Sequence, residues 1–86
     1  MASYLSNQIN IGKDTEKKLI QVGINSFEDL VSIGAEDAFL RVRVIDSGAC
    51  LSFLYGLEGA IEGIKWNKIS PQRKKELNEF FKMINM

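Results

Sequence analysis

Few residues in this sequence are equipped for covalent chemistry. Cys50 is the single cysteine and there is no histidine. Composition therefore excludes a Cys/His metal cluster, a disulfide within the chain and papain-like nucleophilic catalysis. Cys50 reads as a buried packing residue. Glu58 and Glu62 stand four residues apart in an apolar stretch. That spacing puts two carboxylates on one helix face, the layout general acid–base catalysis uses. Nothing else in the stretch supports it, since no histidine and no second acid–base pair is there. The plainer role for Glu58 is structural: it accepts hydrogen bonds from a neighbouring helix terminus or pairs with an arginine. The chain is not expected to be an enzyme, to need a cofactor or metal, or to take a small-molecule substrate.

Asn10-Ile11-Gly12-Lys13 is the most informative segment. In helix-hairpin-helix modules a short Gly-x-Gly-type turn opens a helix. Its backbone N–H groups point at a phosphate, and the helix dipole adds to the attraction. Asparagine here replaces the first glycine and tolerates the left-handed region better than most residues. Lys13 adds positive charge. The same residues also make a plain structural turn and cap, and spacing leaves both readings open. Lys74 and Lys75 sit at another helix start. The candidate nucleic-acid-binding residues are thus Asn10, Gly12, Lys13, Lys74 and Lys75. Tyr4, Tyr55 and the five phenylalanines form no aromatic-basic pattern like that of an RNA-binding sheet.

The elements that must position these residues follow from caps and periodicity. At 86 residues the chain is one domain, 1–86. A first helix follows Gly12 and ends at Gly23, with Leu19, Ile20 and Val22 inward. Ser26 caps a short helix over 27–33, with Asp29 completing a capping-box-like pair and Phe27, Leu30 and Val31 buried. Gly34 ends it. Glu36 and Asp37 then open a helix whose inner face is Ala38, Phe39, Val42 and Ile45. The β-branched Val42, Val44 and Ile45 make a strand a minor alternative there. Asp46-Ser47-Gly48 is a turn. The most apolar helix, about 49–64, repeats Leu51, Leu54, Leu57, Ile61 and Ile64 at helical steps. Its small residues Gly56, Ala60 and Gly63 admit a neighbouring helix. Trp66 closes one end of the core. Ser70-Pro71 opens the last helix, which packs Leu77, Phe80, Phe81 and Ile84 inward and turns Arg73, Lys74 and Lys75 outward. Ile11-Gly12 and Ile33-Gly34 echo each other at an offset of 22, suggesting two stacked helical hairpins.

Eleven basic and eleven acidic residues cancel, which removes the simplest argument for nucleic acid. The charge is nevertheless segregated. Residues 1–27 carry a net +1, residues 28–62 a net −5 and residues 63–86 a net +4. Solvated helix faces are the ordinary reading of such blocks. Met1-Ala2-Ser3-Tyr4-Leu5 lacks a basic n-region and a long apolar run, so it is not a signal peptide. No segment spans a membrane. A cytoplasmic protein is expected.

Taken in order, these segments resemble a known family. Asn10-Ile11-Gly12-Lys13, Lys18-Leu19, Val22-Gly23-Ile24, Phe27-Glu28-Asp29-Leu30, Ile33-Gly34-Ala35 and Ala38-Phe39-Leu40-Arg41-Val42-Arg43 are similar to the C-terminal domain of the TfoX/Sxy competence regulators. Leu54-Tyr55-Gly56-Leu57-Glu58-Gly59-Ala60-Ile61 and Gly63-Ile64-Lys65-Trp66 continue the likeness, which covers about residues 8–82. The resemblance implies an all-α fold of about five short helices with a helix-hairpin-helix-like core. It also implies a link to regulation of DNA uptake, in which full-length members act as transcriptional co-regulators. Those members carry an N-terminal domain, so this sequence reads as a stand-alone copy of the C-terminal one. Members commonly have proline before the Asn-Ile-Gly turn, where this chain has Ile9. The family brings no catalytic residues.

Two functions follow as expectations. One is a binding module that contacts DNA or a DNA-bound regulator through the Asn10–Lys13 turn and the basic segment from Lys65 to Lys75. The other is a protein-interaction or self-association module, with a protein partner or homodimer formed through the acidic middle and apolar helix faces.

Overall fold

Capping chemistry sets where each helix begins and ends. The computed structural model describes residues 5–85. Tyr4 and the reading of Met1 to Tyr4 as no signal peptide lie outside the described residues. Five α-helices follow one another: α1 Lys13–Gln21, α2 Phe27–Ile33, α3 Ala35–Ile45, α4 Leu51–Glu62 and α5 Pro71–Ile84. Short 3-10 turns occupy Leu5–Asn7 and Trp66–Lys68. Among the described residues there is no strand, and no helix is long and apolar enough to cross a membrane.

The stops are made by backbone geometry. α1 and α4 end on glycines with positive φ, Gly23 at 88° and Gly63 at 73°. A left-handed residue lets the next amide fold back, so Ile24 N–H donates to Leu19 O and Ile64 N–H donates to Gly59 O, each at 2.9 Å. The starts are made by side chains. Ser26 Oγ accepts from Asp29 N–H at 3.1 Å, and Asp29 in return accepts from Asn25 N–H. Ser70 Oγ accepts from Arg73 N–H at 3.2 Å, with Pro71 just inside. Gly12 and Gly34 each precede a helix, but with φ of −91° and 88°. The echo between them is one of position and not of conformation.

α3 and α4 pack against each other at the centre. Ala38, Phe39 and Val42 of α3 and Leu54, Leu57 and Ala60 of α4 are fully or almost fully buried. Leu19 of α1, Leu30 of α2 and Leu77 of α5 close on them with Leu5 and Ile24. Phe39 sits between Phe53 and Phe81, tilted to both at ring separations of 6.3 and 5.8 Å. Val42, Val44 and Ile45 are all helical despite their β preference, and of the three Val42 is fully buried.

Several expected core positions lie further out. Ile20, Val31 and Ile45 are about half-exposed. Ile20 and Val31 directly follow Leu19 and Leu30, which take the buried slots, and a helical step of 100° turns them toward water; Ile45 is the last residue of α3. Cys50 is exposed rather than buried, because it precedes α4 as its N-cap; its Sγ lies 2.9 Å from Ser52 Oγ. That hydrogen bond holds the thiol below its ordinary range. Trp66 does not plug the core and is 48% exposed. Gly63 is a helix stop rather than a packing residue, and Ala60 lies in the core.

Candidate nucleic-acid interface

Asn10 takes φ of 70°, a left-handed conformation asparagine accepts readily. Its amide then reaches across the fold. Nδ2 donates to Ile64 O at 2.8 Å and Oδ1 accepts from Trp66 N–H at 3.3 Å. One side chain thereby ties the N-terminal turn to the chain leaving α4. Two glycines of α4, Gly56 and Gly59, face this turn. A Cβ on Gly59 would strike Asn10 Nδ2, approach Ile64 O to 2.8 Å and Trp66 Cα to 3.2 Å. At Gly56 the nearest atoms also belong to Asn10, at 3.8 Å. The Asn10 amide is thus engaged within the protein.

Gly12 is the N-cap of α1 in extended backbone, with no side chain capping the helix start and open space where a Cβ would stand. Lys13 is exposed. It lies three residues from Asn10, so its Cα is within about 11 Å of the junction by chain length alone.

On the other side of the junction, Trp66 lies parallel to Tyr55, at 7° and 6.5 Å between ring centroids. Lys74 Nζ sits 5.9 Å from the Trp66 ring centroid and donates to Asn67 O at 3.4 Å. Tyr55 O–H donates to Lys74 O at 3.4 Å, tying α4 to the start of α5. Lys65, Lys68 and Lys75 are exposed. The structure thus joins Asn10, Trp66 and Lys74, with Gly12 and Lys13 following Asn10 along the chain. Lys75 is adjacent to Lys74 in α5.

Arg73 departs from the expected outward run. Its guanidinium turns inward and bridges three helices. It donates to both oxygens of Glu36 in α3, at 2.7 and 2.9 Å. It also donates to Glu58 in α4 at 3.0 Å and to Glu76 at 3.3 Å. The expectation that Glu58 pairs with an arginine holds. Arg73 holds the Glu36 carboxyl below its ordinary value. Burial pushes Glu58 up, but the bond from Arg73 and the neighbouring Glu62 pull it further down, and the net displacement is downward. Glu62, beside the Glu58 carboxylate, is raised. The carboxylates in turn raise Arg73, which stays charged. Of the two carboxylates that resembled an acid–base couple, Glu58 is thus engaged by an arginine. No pocket and no metal-binding group of acids occurs among the described residues.

What sequence reasoning missed is the pairing of exposed Trp66 with half-buried Tyr55 in parallel. Aromatic spacing gave no signal because the two belong to different elements. The available hint was that Trp66 is flanked by Lys65 and Lys68 just after a glycine stop.

Comparison with known proteins was made at the level of family and of fold. The model of the TfoX C-terminal domain matches residues 1–81. A triclinic crystal structure of an uncharacterized protein from Listeria monocytogenes is 42% identical and superposes with a TM-score of 0.93, over 94% of this chain and 92% of that one. A tetragonal crystal structure of a protein of unknown function from Listeria monocytogenes is 43% identical with a TM-score of 0.89, over 92% and 98% of the two chains. No curated protein matches.

Proposed function

This chain belongs to the TfoX C-terminal domain family, and from that premise we propose that it is a non-catalytic binding module that contacts DNA or a DNA-bound regulator. The contact surface would be the junction of the Asn10–Lys13 turn with the Lys65–Lys75 segment. One observation carries the reading. Two lysine-bearing segments more than fifty residues apart in sequence meet through the two hydrogen bonds of Asn10. The uncapped start of α1 adds free backbone donors beside Lys13. A part in competence or transcription would follow from the family and from such contact.

The test is a titration of wild type and Lys13→Glu against labelled duplex and single-stranded DNA at two salt concentrations. Phosphate contact must weaken as salt rises. Lys13→Glu is expected to reduce affinity and to lower the salt slope by about one counterion. No binding by the wild type to either DNA at the lower salt would overturn the reading.

A second reading has its own observation. The outer face of α3 exposes Leu40 at 40%, Ile45 at 49% and Val44 at 84%, in line with a protein partner or homodimer. Sedimentation would then give a dimer that survives Lys13→Glu and dissociates in Val44→Asp.

A further inference from the structure

We propose that Trp66 is a stacking platform for an unpaired nucleobase, which makes a single strand, and not a duplex, the preferred ligand of this surface. The inference rests on the nucleic-acid reading above and specifies its ligand. Trp66 is 48% exposed, an unusual placement for a large aromatic with a helical core beside it. Its backbone N–H is held by Asn10, and its ring is parallel to Tyr55, which is itself tied to Lys74 O. A side chain whose backbone is tied and whose ring lies along a placed neighbour loses less freedom when a ligand lies on it.

The charges around the ring suit the rest of a strand. The Lys74 ammonium is 5.9 Å from the ring centroid. Exposed Lys65 and Lys68 bracket Trp66 in the chain. Alternation of an aromatic face with cations is how single strands are held, with bases stacking and the backbone following the charge. A duplex keeps its bases stacked on each other and offers the indole no base face. Stacking is tolerant of sequence because every base has a π-face, so little base preference is expected.

Trp66 is the only tryptophan, and its fluorescence therefore reports this ring alone. Three probes of equal length are titrated at low salt: oligothymidylate, an abasic strand and a duplex. The expected result is saturable quenching by oligothymidylate and none by the abasic strand. Trp66→Ala should weaken single-strand binding by about ten- to a hundredfold, far more than it weakens duplex binding, and be largely rescued by Trp66→Phe. The quenching arm uses the unmodified chain, so it decides even if Trp66→Ala folds poorly. Equal binding of strand and duplex with unchanged fluorescence defeats the platform but leaves nucleic-acid binding standing. No binding of any probe defeats both.

Discussion

Two polar junctions hold distant parts of this chain together, and they use their groups in opposite ways. At the Arg73 junction every partner is charged. Glu36, Glu58 and Glu76 converge on one guanidinium, and Glu58 keeps only 10% of its side chain exposed. At the Asn10 junction the tie is neutral, one amide bonded to backbone at Ile64 and Trp66. The first junction consumes a cation from a run of three, Arg73-Lys74-Lys75. The second satisfies backbone groups without drawing on any lysine. Within that run Arg73 is structural because carboxylates of α3 and α4 reach it, while Lys75 stays exposed. Net charge, which is zero, carries none of that distinction.

The sharpest way to break the comparison is to remove the structural cation. Arg73→Met leaves Glu58 buried with no counter-charge and should lower unfolding stability by about 2–4 kcal/mol, below the cost at a fully buried pair because Arg73 keeps some solvent. Urea melts would measure it, and an unchanged midpoint would show that the junction contributes little. Glu58→Ala removes one acceptor while Glu36 and Glu76 still hold Arg73. It should cost less, about 1–3 kcal/mol.

The same junction sets an acid response. Glu36 and Glu58 are held below the ordinary glutamate value of 4.5 in the folded chain. Below that value the unfolded chain takes up protons first. Their contribution is thus complete above the ordinary value and lost as pH falls through the folded one. Glu62 is raised and works in the other direction, favouring the folded state in acid and fading as pH climbs past its folded value. The two downward groups should dominate. Wild type should lose stability on acidification in this window, and Arg73→Met should show a flatter acid limb. Parallel acid limbs in the two proteins would rule Arg73 out as the cause.

The neutral junction should respond to shape rather than charge. Gly59→Ala places a methyl against Asn10 Nδ2 and Ile64 O. Overpacking of this kind costs about 1–3 kcal/mol, set against a gain of about 1 kcal/mol in helix propensity. A net loss of about 1 kcal/mol is expected, insensitive to salt and pH and accompanied by a shift in Trp66 emission. A stabilised Gly59→Ala would mean the turn yields and the junction is loose.

The helices were legible because their punctuation is local. Ser26, Gly34 and Ser70-Pro71 act on residues within one turn, and α2 and α5 start where those residues say. The Glu58–arginine pairing was also legible, since a carboxylate among Leu54, Leu57 and Ile61 must find a donor. Its identity was not. Arg73, Lys74 and Lys75 look alike as a run, and the one that turns inward depends on carboxylates 37 and 15 residues away. Asn10 was seen as a residue suited to a left-handed turn, but its bonds reach 54 and 56 residues on. Periodicity cannot carry such information, because it reads faces of single elements and not their meeting.

Lys75 gives the smallest effect and separates stability from function most cleanly. It is exposed at the fifth position of α5, just past the first turn, where the helix dipole disfavours a cation only weakly. Lys75→Glu should therefore leave the fold intact and change stability by less than about 0.5 kcal/mol, a small dipole gain being offset by the like charge of Glu79 four residues on. If the Lys65–Lys75 segment meets phosphate, the same change should weaken nucleic-acid binding and lower its salt slope by about one. Binding then falls while stability stays near wild type, so a general disturbance of the structure cannot produce the loss. A residue kept only as a solvated helix position predicts no change in binding. Thermal melts and a salt-dependent DNA titration on the one variant decide between them, and binding that matches wild type at both salts would remove Lys75 from the surface.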